Sequence, residues 1–176
     1  MDGESVTFSM TGEPRGKGRP RVFVQGGRSI ATTDPLTRAY EASVTEIARK
    51  AMGGRPPFVG ALSVSIRFRM PIPQSASKKA KAAMALGETP HTSSPDLDNL
   101  AKAVLDGMAE DADLKDQIKK QIRKGLIPED QATAAKRKAR VTFVNDSQIV
   151  RLWVEKVYSA SPGIDVKVMC LEPRCP

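Results

Sequence analysis

Leu62-Ser63-Val64-Ser65-Ile66-Arg67-Phe68-Arg69-Met70 alternates apolar and polar residues without a break. Successive strand side chains point to opposite faces, so this segment is a strand with one buried face. Pro71 and Pro73 end it, because proline cannot donate to a ladder. Working outward, Val6, Phe8 and Met10 alternate with Thr7, Ser9 and Thr11 in the same way. Arg21 to Val24 reads as a short second strand that turns at Gly26-Gly27. Val141 to Val144, Ile149 to Tyr158 and Ile164 to Leu171 read as three more strands, the last two as a terminal hairpin. Asn145-Asp146 and Ser161-Pro162-Gly163 supply the breaks.

Helices lie between these strands. Asp34-Pro35 is an N-cap followed by proline at the first turn. Leu36, Tyr40, Val44, Ile47, Ala48 and Ala51 then follow helical spacing to Gly53-Gly54. Ser77 to Leu86 predicts a short Lys- and Ala-rich helix closed by Gly87. Ser94-Pro95 opens a third, where Leu97, Leu100, Ala101, Val104, Leu105 and Met108 make an apolar stripe. Residues 113–140 are polar, basic and helix-favouring, broken at Gly125 and Pro128, and predict two short helices or one helical hairpin. This order specifies an α+β fold: a single domain, 1–176, with a mixed or mostly antiparallel sheet and flanking helices.

The chain has 176 residues and a net charge of +8. That length supports one real core. No run approaches the roughly 18 apolar residues that suggest a membrane span. The N-terminus, Met1-Asp2-Gly3-Glu4, lacks an apolar signal-peptide region, so the expected compartment is the cytoplasm. Cys170 and Cys175 are expected there as free thiols. The charge is uneven. Arg15, Lys17, Arg19 and Arg21 carry +4, Lys78, Lys79 and Lys81 carry +3, and residues 113–140 carry +5. The remainder is therefore at −4, which suggests phosphate-facing patches around an acidic centre.

That centre is Pro95-Asp96-Leu97-Asp98-Asn99-Leu100-Ala101-Lys102. Positions two apart on a helix diverge by roughly 160°, so both carboxylates converge only if Asp96 precedes the first regular turn. Asp98, Lys102 and Asp106 share one stripe, each four apart. An Asp at a helix start is also simply a favourable cap, and an Asp98–Lys102 pair a routine surface contact. A third carboxylate shifts the balance. Asp146 lies in a polar break between two apolar strands, and three oxygen-donor groups suit Mg²⁺. The ion would polarise a phosphoryl oxygen and generate hydroxide, with Lys102 against the transition-state charge. Other motifs fail. Lys17 is followed by Gly18, so there is no Walker A loop, and no Ser-His-Asp set exists around the lone His91.

Asp96-x-Asp98-Asn99-Leu100-x-Lys102, Leu105-Asp106-Gly107-Met108 and Asn145-Asp146-Ser147-Gln148-Ile149 together resemble the RusA family of Holliday junction resolvases. Gly12-Glu13-Pro14-x-x-Lys17-x-Arg19-Pro20-Arg21, after the first strand, is similar too. The resemblance spans about Val6 to Met169. It implies a homodimeric, Mg²⁺-dependent endodeoxyribonuclease that nicks two opposed strands of a four-way DNA junction in recombination and repair. It assigns Asp96, Asp98 and Asp146 to the metal and Lys102 to catalysis. It places Lys17, Arg19 and Arg21 against DNA, and the neighbouring basic residues Arg15, Lys78 and Lys79 are expected to join them. Residues 109–140 depart from the family's shorter link and read as a basic helical insertion. The reading from another class is a non-catalytic basic DNA-binding or architectural protein, for which the basic loops alone suffice. A nucleotide-sugar transferase built on Asp-x-Asp lacks the strand–helix pattern for its nucleotide.

Overall fold

The computed structural model describes residues 4–18, 21–26, 28–32 and 34–171. Arg19 and Cys175 lie outside the described residues. The elements run β1 (Ser5–Thr11), β2 (Arg21–Gln25), β3 (Arg28–Thr32), α1 (Pro35–Met52), β4 (Leu62–Pro71), α2 (Lys78–Ala85), α3 (Leu97–Ala109), α4 (Ala112–Arg123), α5 (Ala132–Arg137), β5 (Ile149–Ser159) and β6 (Gly163–Cys170). The fold is α+β, as the alternating patterns require. One mixed sheet has the order β1-β6-β4-β5, and β2 and β3 form a separate hairpin. Arg21 is placed on β2, and its side chain is not among those described.

The period-two residues make the core. Val6, Phe8 and Met10 of β1 join Val64, Ile66, Phe68 and Met70 of β4 and Ile164, Val166 and Val168 of β6, all buried. Val44, Ala48 and Met52 of α1 and Leu100, Val104 and Met108 of α3 cover them. Leu36, counted in the α1 stripe from spacing, is instead 58% exposed, one turn before that packing begins. Asp34 caps α1 as expected, accepting from Leu36 N–H at 3.1 Å and Thr37 N–H at 3.2 Å. Helices α1 and α3 meet at Gly107. A Cβ there would lie 2.8 Å from the Glu41 carbonyl oxygen and 2.9 Å from Val44 Cβ, so only glycine permits this approach. The Thr45 hydroxyl donates to the Gly107 carbonyl across the same contact, at 2.7 Å.

Three expectations are corrected. The last two strands are not a hairpin: β6 inserts between β1 and β4, antiparallel to both, while β5 pairs parallel to β4. Alternation in β6 marks the face it buries, Ile164, Val166 and Val168, and says nothing about which strands lie alongside it. The connection crosses the end of β4, where Arg69 Nη1 donates to the Ser161 carbonyl at 2.7 Å. Second, Val141 to Val144 is not a regular strand. It is a buried extended segment with one isolated bridge, Phe143 to Phe58. Its backbone is shared between two partners, Val141 N–H to Ala109 and Phe58 N–H to Thr142, so no ladder forms. Third, Cys170 is buried and disulfide-bonded, not a free thiol.

Of the two readings offered for this region, residues 109–140 form the two short helices, α4 and α5, joined through a 3-10 turn at Glu129–Gln131. They fold back on α1 through Arg49–Asp111 at 2.8 Å and Arg38–Asp113 at 2.6 Å. Ile118, Ala132 and Ala139 are buried beneath them. Among the described residues, no helix is long and apolar enough to cross a membrane.

Candidate active site

Asp96 is the N-cap of α3, with extended φ −67° and ψ 147°, and Asp98 is in the first turn. This is the placement that the two-residue spacing demanded. Asp96 makes no side-chain capping bond. By contrast, Asp34, Ser77 and Asp111 all cap their helices with a side-chain oxygen. The local stabilising role available to Asp96 is therefore not taken, and its carboxylate is exposed. Asp98 and Lys102 are exposed as well, with no ion pair between them or to any other described residue.

Asp146 begins a 3-10 turn, Asp146–Gln148, whose neighbours explain its motif. The Asn145 side chain accepts from Ser147 N–H at 3.0 Å. Gln148 Oε1 accepts from Val144 and Asn145 N–H, each at 2.8 Å. Gln148 Nε2 donates to the Phe58 and Gly60 carbonyls, each at 3.0 Å. Asn145 and Gln148 thus satisfy the backbone and tie the turn to the loop before β4. Asp146 is left exposed and unpaired among the described residues.

A groove between α3 and the start of β5 brings the two segments together. Its volume is about 740 Å³. Asp98, Lys102, Asp106 and Asp146 line it, with Leu97, Leu105, Leu152 and Val154 among its apolar walls. Asp96 stands at the helix end outside this lining. Among the described residues, no three His, Cys, Asp or Glu side chains are grouped closely enough to hold one ion. The expected convergence of Asp96, Asp98 and Asp146 on one point is therefore not present in the single chain. The donors still suit Mg²⁺, which binds through one or two carboxylates, its own waters and substrate phosphate.

The glycine-rich loop is stitched to the same site. Lys17 N–H donates to the Asn99 carbonyl at 3.2 Å. A Cβ on Gly16 would sit 3.1 Å from Pro95 Cβ, and one on Gly18 would sit 2.9 Å from Thr37 Oγ1. The Lys17 ammonium donates to Asp106 and lies 3.5 Å from Glu41. Burial pulls its pKa down, but the two carboxylates prevail and hold it above the usual lysine value. Burial pushes Glu41 up, against the opposing pull of Lys17. Spacing put Asp106 on the functional stripe, but nothing in the sequence showed that Lys17, 89 positions away, would neutralise it.

The segment before Asp96 is pinned to β5. Lys156 Nζ donates to the carbonyls of Ser93 at 2.7 Å and Pro95 at 2.9 Å. The His91 ring lies 4.6 Å from that of Tyr158. Burial lowers the His91 pKa, and Lys156 lowers it further. Of the other expected DNA-facing residues, Arg15 is exposed on the glycine-rich loop beside Pro95 and Asn99. Lys78 and Lys79 are exposed in the first turn of α2, a helix that buries none of its residues.

A family model for the endodeoxyribonuclease RusA matches residues 11–133. The match contains the glycine-rich loop, Asp96, Asp98, Lys102 and α4, and Asp146 lies beyond it. "Uncharacterized protein YqaN" of Bacillus subtilis (strain 168) is 26% identical over 167 residues, which cover 94% of this chain and 96% of that protein.

Proposed function

The chain belongs to the RusA endodeoxyribonuclease family, and from that premise we propose that it resolves four-way DNA junctions by paired, symmetric, Mg²⁺-dependent nicks as a homodimer. The observation that carries this reading is the groove between α3 and β5, where exposed Asp98, Lys102 and Asp146 face one space. Asp98 and Asp146 would hold the ion, with Asp96 at the open helix end. Bound there, Mg²⁺ supplies polarisation of the scissile phosphoryl oxygen and a water acidified toward hydroxide. Lys102 sets a cation beside the charge that develops in the transition state. Asp106, neutralised by Lys17, adds little repulsion to an incoming phosphate.

Arg15, Lys78, Lys79 and the remaining basic residues Arg19 and Arg21 hold the flanking phosphates. The two lysines in the first turn of α2 repel the positive end of that helix, an arrangement relieved when an anion sits there. Asp98→Asn and Asp146→Asn are expected to abolish nicking of a four-way junction in Mg²⁺ while leaving junction affinity within severalfold. Unchanged nicking by either variant would overturn the assignment.

A further inference from the structure

β5 is an edge of the sheet, hydrogen-bonded to β4 on one side and to no described strand on the other. Its N-terminal half is open on both faces: Val150 is 59%, Leu152 44% and Trp153 71% exposed. Isolated proteins protect such edges with short length, proline, bulges or charge, above all lysine; the one lysine of β5, Lys156, is instead turned to the Ser93 and Pro95 carbonyls. β5 has eleven residues and neither proline nor glycine, and its one register irregularity lies at its first residue. The opposite edge, β1, shows serine and threonine at every exposed position. On one face of β5, Leu152 and Val154 extend the apolar wall formed by Leu97, Ala101 and Leu105. On the other, Trp153 stands beside Ser65, Arg67, Glu155 and Lys167.

We propose that this edge pairs with β5 of a second copy, antiparallel about a two-fold axis at Trp153, joining two four-stranded sheets into one of eight. The inference rests on the homodimer reading above and says where its interface lies. Among registers centred on residues 152, 153 and 154, this one sets opposite charges against each other. Arg151 faces the partner's Glu155, Trp153 faces the partner's Trp153, and Leu152 faces the partner's Val154. Moving the axis to residue 152 sets Trp153 against Arg151 and Glu155 against Ile149. Moving it to residue 154 sets Trp153 against Glu155 and Arg151 against Val157. Arg151 has no partner among the described residues, and Glu155 meets only the exposed Arg67, at 3.0 Å. The two-fold runs perpendicular to the joined sheet, so both α3 grooves open on the same face, where one junction could reach them. A lone tryptophan beside Lys167 would also suit a stacked DNA base. The charge pattern along the strand favours a second copy.

Sedimentation equilibrium without DNA tests this, with cysteine cross-linking as a second measurement. Arg151→Glu or Glu155→Arg alone should weaken the dimer at least about tenfold, and the double reversal should restore it. Trp153→Cys should give a disulfide-linked dimer under mild oxidant, since directly opposed strand residues lie within disulfide reach. Lys167→Cys, on the same face but two strands inward, should not. A monomeric wild type, or a dimer indifferent to either reversal and lacking the cross-link in Trp153→Cys, overturns the proposal. Quenching of Trp153 fluorescence by single-stranded DNA, in a dimer that Arg151→Glu leaves intact, would assign the face to DNA instead. An inactive protein that dimerises through this edge keeps the interface and fails only the functional reading.

Discussion

Gln148 makes four hydrogen bonds from one side chain, two accepted and two donated, and every partner is backbone. Gln148→Ala strands those groups, so a loss of about 2 kcal/mol in urea unfolding is expected. Because the same bonds aim Asp146, nicking should fall further than stability alone explains, with junction affinity retained. Lys102→Ala should lower the single-turnover nicking rate about a hundredfold with little change in binding, in line with loss of one charge-stabilising group. Lys17 behaves differently, because its ammonium is engaged by Asp106 and Glu41. Lys17→Met is expected to cost about 1 kcal/mol after allowance for its partial exposure. The raised pKa of Lys17 fixes the sign: this stabilisation is complete below pH 10.5 and fades as pH rises through the higher folded value. For His91 the sign is opposite. Its lowered folded pKa means the unfolded chain takes the proton first, so stability declines as pH falls below about 6.5. His91→Phe should flatten that decline in a pH series of thermal melts.

Among the elements, what could be read from sequence was whatever repeats locally. The alternation from Leu62 to Met70 specifies β4 and its buried face, and the cap at Asp34 specifies where α1 begins. The helix opening read at Ser94-Pro95 put Asp96 at the start of α3, where it is the N-cap. Pairing partners did not follow, because period-two alternation marks which face of a strand is buried and not which strand lies beside it. The order β1-β6-β4-β5 is therefore invisible in strand periodicity, and the expected terminal hairpin is absent. Val141 to Val144 misled for a related reason: burial gave it an apolar pattern, but its backbone bonds divide between two neighbours. The α1–α3 contact offers a sharp element-scale test. Gly107→Ala forces a methyl to within 2.8 Å of the Glu41 carbonyl oxygen. A loss of about 1–3 kcal/mol is expected, together with weaker nicking, since Asp106 and Lys102 ride on the same helix.

Over the whole molecule, Asp98, Asp106 and Asp146 line one groove together with Lys102, whereas the sequence offered Arg15, Lys17, Lys78 and Lys79 as phosphate-facing basic residues. What the sequence did not disclose was the internal use of one of those basic residues. Lys17 completes the site's framework instead of projecting freely, while Arg15, Lys78 and Lys79 remain exposed. Of the three carboxylates named from the motif, Asp98 and Asp146 line one groove, and Asp96 caps α3 outside that lining. Distances across a helix terminus and between distant segments are tertiary quantities, and no spacing rule supplies them. The groove holding Asp98, Lys102 and Asp146 is proposed to cut branched DNA. The most direct measurement is a Mg²⁺ titration of nicking on a four-way junction and on linear duplex of the same sequence, for wild type and Asp146→Asn. Mg²⁺-dependent nicks are expected at symmetric positions on two opposed junction strands, with little cutting of the duplex and loss of both nicks in Asp146→Asn. Equal cutting of junction and duplex, or full activity in Asp146→Asn, would contradict it.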